Sequence, residues 1–255
     1  MADGQKQMSF WDHLEELRGT LFRSVLALCA AAVLCFCFKD LLFRFVLGPA
    51  RPDFFIYRLF HVDFSLQLVN IEVTAQFLTH LKVAFILGFI LAFPYIVYEI
   101  WRFVAPGLYE REKRVVRPVI GASFLLFYVG VAAGYCLIFP LALHFFQQYS
   151  VSDMVTNTIA LKSYVSLFFS MILLVGLLFD FPVVIWLLSS LGIVDRGMLR
   201  KYRRHALVVV VFFGVLITSD PFSLAVVTLL LYALYEVSIL VCREAKQTEE
   251  DDIDR

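Results

Sequence analysis

Five ionisable residues, Lys82, Glu99, Asp180, Asp220 and Glu236, stand within or at the ends of long apolar runs. A charge in such a place costs a few kcal/mol on insertion scales and marks a transport pathway, a partner contact or a buried ion pair. Lys82 lies about one turn inside its run, where a lysine can snorkel to the interface. Glu99 stands beside Trp101 and Arg102 and reads as an interfacial charge. Asp180 and Glu236 fall further in and are the stronger candidates for intramembrane polar work. Asp220, followed by Pro221, has the chemistry of a helix N-cap with proline in the first turn. Linked across a membrane, Lys82, Asp180 and Glu236 would form the relay of a secondary transporter or proton channel. No inverted repeat or pair of broken helices accompanies them.

Other chemistries lack their tools. The sequence has no Gly-x-Ser-x-Gly for a nucleophilic serine and no His-Glu-x-x-His for zinc, which His13-Leu14-Glu15-Glu16 only superficially resembles. The five histidines, at 13, 61, 80, 144 and 205, fall in loops or near the ends of runs, so none offers a pair of axial haem ligands. A glycine-rich phosphate loop is also missing. Cys29, Cys35, Cys37, Cys136 and Cys242 lack metal-site spacing and read as small apolar filler. The expectation is a protein that is not an enzyme and uses no metal or other cofactor.

The elements that must position these charges follow from composition. Of 255 residues, 61% are hydrophobic and only 17% charged, with 27 phenylalanines and a mean hydropathy of +0.81. That is far below the roughly 25% charge of a soluble domain, and such side chains must face lipid or neighbouring membrane helices. The fold class is an all-α integral membrane protein. Six spans are expected, at about 21–38, 77–104, 119–139, 164–191, 206–218 and 222–242, within a single domain over 1–243. An acidic tail over 244–255 follows. About twenty polar or amphipathic residues precede the first run, which is unlike a cleavable signal. The connection from 41 to 72, broken by proline and charge, reads as a loop with an interfacial helix. Thirteen residues at 206–218 make only about 20 Å of helix against a hydrocarbon core of about 30 Å. The fifth and sixth spans therefore form a short hairpin beside which the bilayer thins.

Pro94 and Pro182 remove backbone donors and are expected to kink the second and fourth spans. Bent long helices beside a short hairpin suggest a cupped, concave bundle able to receive another helix. Six spans place both termini on one side. That side and two short loops hold sixteen lysines and arginines, the opposite side five, and Lys82 lies within a span. The bias predicts cytoplasmic termini.

Three stretches carry a family resemblance: His13-Leu14-Glu15-Glu16-Leu17-Arg18, the segment Trp101-Arg102-Phe103-Val104-Ala105-Pro106-Gly107-Leu108-Tyr109-Glu110-Arg111-Glu112-Lys113-Arg114, and Asp180-Phe181-Pro182. Taken in order across six spans, from about residue 9 to about 243, they resemble TatC, the polytopic subunit of the twin-arginine protein translocase. The resemblance implies a receptor in the bacterial cytoplasmic (inner) membrane that binds twin-arginine signal peptides of folded cargo. With TatA and TatB-like single-span partners, and as a homo-oligomer within a receptor complex, it would export that cargo using the proton-motive force. No nucleic acid is implied as a partner. Glu16 and Glu112 match acidic positions of the family's signal-binding site, framed by Leu17, Arg18, Phe103, Pro106, Leu108 and Tyr109. Two adjacent guanidiniums need carboxylates at fixed positions, because planar arginine forks pair with them bidentately. Without the family pattern, Glu16 and Glu112 read as ordinary solvated charges paired with Arg18 and Arg114. Asp180 matches an acidic position on the concave wall that is usually glutamate, and Pro49, Lys82, Asp220 and Glu236 also match family positions. The turn Thr218-Ser219-Asp220-Pro221 departs from relatives that carry an additional proline before the aspartate.

Overall fold

A computed structural model describes residues 10–59, 64, 66–104, 110–150, 152, 158–190, 192–218 and 220–242, except the side chains of Phe10, Asp12, His13 and 110–118. The elements are helical apart from one two-residue ladder. The long helices are α1 (Phe10–Cys37), α4 (Ala75–Val104), α5 (Glu110–Ala133), α7 (Leu161–Phe179) and α11 (Pro221–Val241). Shorter pieces are α2 (Lys39–Val46), α3 (Phe55–Leu59), α6 (Phe139–Gln148), α8 (Phe181–Ser190), α9 (Arg196–Lys201) and α10 (Arg203–Ile217). Among the described residues, five helical stretches are long and apolar enough to cross a membrane: 14–37, 75–104, 119–148, 161–190 and 221–241. The remaining expected span is α10, whose 15 residues give about 22 Å of helix. It begins at Arg203, three residues before the apolar run.

Two spans differ in detail from the expectation. The third does not stop at Phe139. It continues through Pro140 to Gln148 because a π-helical turn over Gly134–Ile138 precedes the proline. Pro140 cannot donate the bond to the carbonyl four residues back, and the wider turn absorbs that mismatch. The fourth span runs on through 161–190 with a single-residue break in the helix at Asp180, between α7 and α8. The amides of Val183 and Val184 donate to the Asp180 carbonyl at 2.9 and 3.2 Å, so the helix resumes at once with Pro182 in the first turn of α8. Pro94, by contrast, sits inside α4 without ending it.

The chain divides into two compact units, one gathering 1–54, 65–124 and 158–169, the other 55–64, 125–157 and 170–255. In the first, α1 and α4 pack at very short range. A Cβ on Gly88 would lie 2.7 Å from the Cα and amide nitrogen of Ala32, so only glycine permits this approach. Between the spans, β1 (Leu68–Val69) pairs in parallel with β2 (Ile159–Ala160). Beside the ladder Lys162 Nζ donates to both Glu72 oxygens at 2.9 and 3.0 Å. The buried Tyr164 hydroxyl donates to the Val46 carbonyl at 2.8 Å. Pro49 is buried in a 3-10 turn, Gly48–Ala50, just after α2.

In the second unit, Gly130 and Gly134 give α5 and its π turn the same close contact with α7. Added Cβ atoms would stand 2.8 Å from Phe179 and 3.0 Å from the Ile172 backbone. The α10–α11 hairpin turns at Asp220, whose Oδ2 accepts from the Ser223 amide at 2.7 Å while Oδ1 accepts from the Thr218 hydroxyl at 2.8 Å. Gly214 packs against Leu224 and Thr228 of the returning helix. The Tyr235 hydroxyl donates to the Leu199 carbonyl at 2.6 Å and anchors α11 to α9.

Candidate functional site

The foot of α1 is built by its register against α4. The helices run antiparallel, with Ala32 beside Gly88 and Arg23 beside Glu99. Counting seven residues back from Arg23 reaches Glu16, and the same count forward from Glu99 passes the end of α4 at Val104. Glu16 is therefore level with the end of α4, where residues 105–109 lead into α5. Glu112 lies in the first turn of α5. The helical spacing of Glu16, Thr20 and Arg23 puts them on one face of α1, the face that meets α4.

Glu16 is half-buried, and its Oε2 is closed off from solvent with no hydrogen-bond partner among the described residues. An enclosed carboxylate oxygen without a donor is costly, and a donor supplied by a guest removes that cost. Leu17 and Arg18 are exposed beside it, and Phe103 is half-buried in the last turn of α4. Pro106, Leu108, Tyr109 and the Glu112 side chain lie outside the described residues, as does the tail over 244–255.

Glu99, read from the sequence as an interfacial charge, is also paired within the protein. Its side chain is only 2% exposed, and its Oε2 accepts from Arg23 Nε at 2.8 Å. Arg102 Nη1 stands 4.0 Å from its other oxygen, and Arg23 Nη2 reaches the Thr20 hydroxyl at 3.4 Å. Arg23 is the one charge interrupting the first apolar run, and Glu99 is its opposite near the end of the next. Matching depth in antiparallel neighbours was the available signal for this pair.

The remaining candidates separate. Lys82 Nζ donates to Ser166 of α7 at 2.9 Å. Glu236 is held by Arg203 Nη2 at 2.6 Å, at the base of the hairpin where α10 starts. Asp220 is 1% exposed and caps α11. Asp180 stands, partly buried, in the break of the fourth span. Among the described residues no group of histidine, cysteine, aspartate and glutamate could hold a metal ion.

The family model for "Sec-independent protein translocase protein (TatC)" matches residues 12–229. The chain belongs to the TatC family. A TatC of Blattabacterium is 35% identical, the match covering 94% of this chain and 97% of the relative. That of Deinococcus radiodurans is also 35% identical, over 91% and 85%. A crystal structure described as the twin arginine translocase receptor TatC superposes with a TM-score of 0.73 at 28% identity, covering 90% of this chain and 97% of that one. A second, obtained in the detergent DDM, gives 0.77 over 91% and 99% at the same identity. As a TatC, this chain is a multi-pass protein of the bacterial cytoplasmic membrane. It is a non-enzymatic component of the protein translocase and works within the Tat complex alongside partner subunits.

Proposed function

We propose that the foot of α1 and the start of α5 form a receptor site for twin-arginine signal peptides, with Glu16 and Glu112 each accepting from one guanidinium. The observation that carries this reading is the enclosed Oε2 of Glu16, without a hydrogen-bond partner among the described residues and level with the end of α4. Exposed ion pairs contribute under about 1 kcal/mol each, so affinity must also come from burying the signal's apolar segment, at about 0.8 kcal/mol per methylene. Leu17 and Phe103 offer the first apolar surface beside the carboxylate, with Pro106, Leu108 and Tyr109 framing the guest. The acidic break at Asp180 is a second candidate contact for the signal or a partner. Both termini then face the cytoplasm, in keeping with the sixteen-to-five distribution of basic residues. TatA and TatB-like single-span subunits and further copies of this chain complete the translocase, and the proton-motive force drives export.

Photocrosslinkers placed at positions 16 and 112 test the site. Contact with an Arg-Arg peptide and loss of contact with Lys-Lys is the expected pair of results, because ammonium groups cannot form the planar fork. Normal peptide binding by both Glu16→Ala and Glu112→Ala would reject it. The relay alternative is weakened by the Arg203–Glu236 pair, which occupies one of its three groups. Vesicles holding this subunit alone are expected to show no ion or solute flux.

A further inference from the structure

At the far end of α1 from Glu16, the first unit contains a cavity of about 490 Å³ whose wall includes Lys39, Phe43, Gln76, Phe77 and His80. The His80 ring is fixed by stacking on Phe36, with centroids 4.2 Å apart and planes 11° apart, and by Phe43 at 5.7 Å. Its Nε2 is closed off from solvent and has no hydrogen-bond partner among the described residues. The ring is thus a fixed part of the cavity wall.

Among the described residues of the wall, the polar side chains open to the cavity are one ammonium and one amide, and Lys39 and Gln76 both donate hydrogen bonds. That set suits an anion with several acceptor oxygens. The nearby carboxylate of Glu72 is engaged by Lys162, and Asp40 is not part of the wall.

Position narrows the class of anion. Lys39 opens α2 directly after the first span, and α2 buries Leu42 and Val46 while exposing Leu41 and Phe45, as an interfacial helix does. Phe77, Leu81 and Phe85 of α4 are all more than half exposed. Their spacing of four makes one apolar stripe that starts at the cavity and runs along the span. An anion held here would carry apolar chains that follow the stripe.

We propose that this cavity binds the phosphate of a phospholipid headgroup, in the leaflet at the end of α1 away from Glu16, with its acyl chains along Phe77, Leu81 and Phe85. The test is native mass spectrometry of the delipidated full chain with phosphatidylglycerol, with diacylglycerol of the same chains, and with inorganic phosphate as competitor. Phosphatidylglycerol is expected to bind at least about tenfold tighter than diacylglycerol, the size of one charge-assisted hydrogen bond. Lys39→Gln should lower that affinity by a similar factor, and Lys39→Arg should retain it. Lys39 is exposed, so its variants report on binding without disturbing the packed helices. Equal affinity for the two lipids, or unchanged phosphatidylglycerol binding in Lys39→Gln, overturns the proposal. Displacement of the lipid by millimolar inorganic phosphate overturns it in favour of a soluble-anion site.

Discussion

Arg23 Nε and Glu99 Oε2 meet at 2.8 Å across the α1–α4 interface, two helical turns from Glu16. Glu99 is almost wholly enclosed, whereas Arg23 keeps 39% of its side chain exposed. The pair thus fixes the depth of α1 against α4, with one partner enclosed and the other partly exposed. Its position also sets where Glu16 stands relative to the segment joining α4 and α5.

Removing one member of this pair leaves the other without its counter-charge. Arg23→Leu is expected to lower stability in detergent by about 3 kcal/mol, the lower end for a broken buried pair because Arg23 is partly exposed. The double variant Arg23→Leu/Glu99→Leu should recover most of the loss. Denaturant unfolding of the parent, Arg23→Leu, Glu99→Leu and the double variant decides the matter, and additive losses in the double variant would show that the contact carries no coupling.

Gly88→Ala tests the close approach of the two helices. The added methyl would meet the Ala32 backbone at 2.7 Å, and backbone atoms cannot rotate away as a side chain can. A loss of about 1–3 kcal/mol is expected from overpacking, with weaker crosslinking of an Arg-Arg peptide at position 16. Wild-type stability in this variant would mean that α1 and α4 separate freely.

Asp220→Ala removes a cap whose two oxygens serve the Ser223 amide and the Thr218 hydroxyl. The expected cost is about 1–2 kcal/mol. Asp220→Asn, which keeps one acceptor, should lose less. Similar melting temperatures for the Ala variant and the parent would contradict a structural role for this carboxylate.

Tyr57, in the connection between the first two spans, is 3% exposed and stacks on Phe64 with centroids 4.3 Å apart. Burial pushes its phenol well above the ordinary range. A raised acid in the folded state contributes stability that is intact below the unfolded value of about 10 and declines as pH rises beyond it. Tyr57→Phe is therefore expected to flatten part of the stability loss above about pH 10, read by thermal melts from pH 8 to 11. Parallel curves for the two proteins would place that loss elsewhere.

Apolar run length made the spans legible, because a bilayer imposes one length on every crossing helix. The shortness of α10 and the cap at Asp220 were also visible in local sequence. Run boundaries misled at Pro140, where a π turn carries the helix on for two more turns. The partner of Glu99 was not legible, because it lies 76 residues away and only the register of packed helices brings the two together. The two-residue ladder between Leu68–Val69 and Ile159–Ala160 leaves no periodic trace at all. Glu16 was found through the family pattern, and its enclosed oxygen adds a physical reason that composition and spacing do not contain.

The ladder and its neighbours have a mechanical consequence. With Lys162 gripping Glu72 and the Tyr164 phenol gripping Val46, the starts of α4 and α7 and the end of α2 are stitched at one rim. Near its other tip α4 is tied again, to α1, by the Arg23–Glu99 pair. Pinned at both extremities, α4 behaves as a strut, and a displacement imposed on one rim of this unit is handed to the other instead of being absorbed along the way.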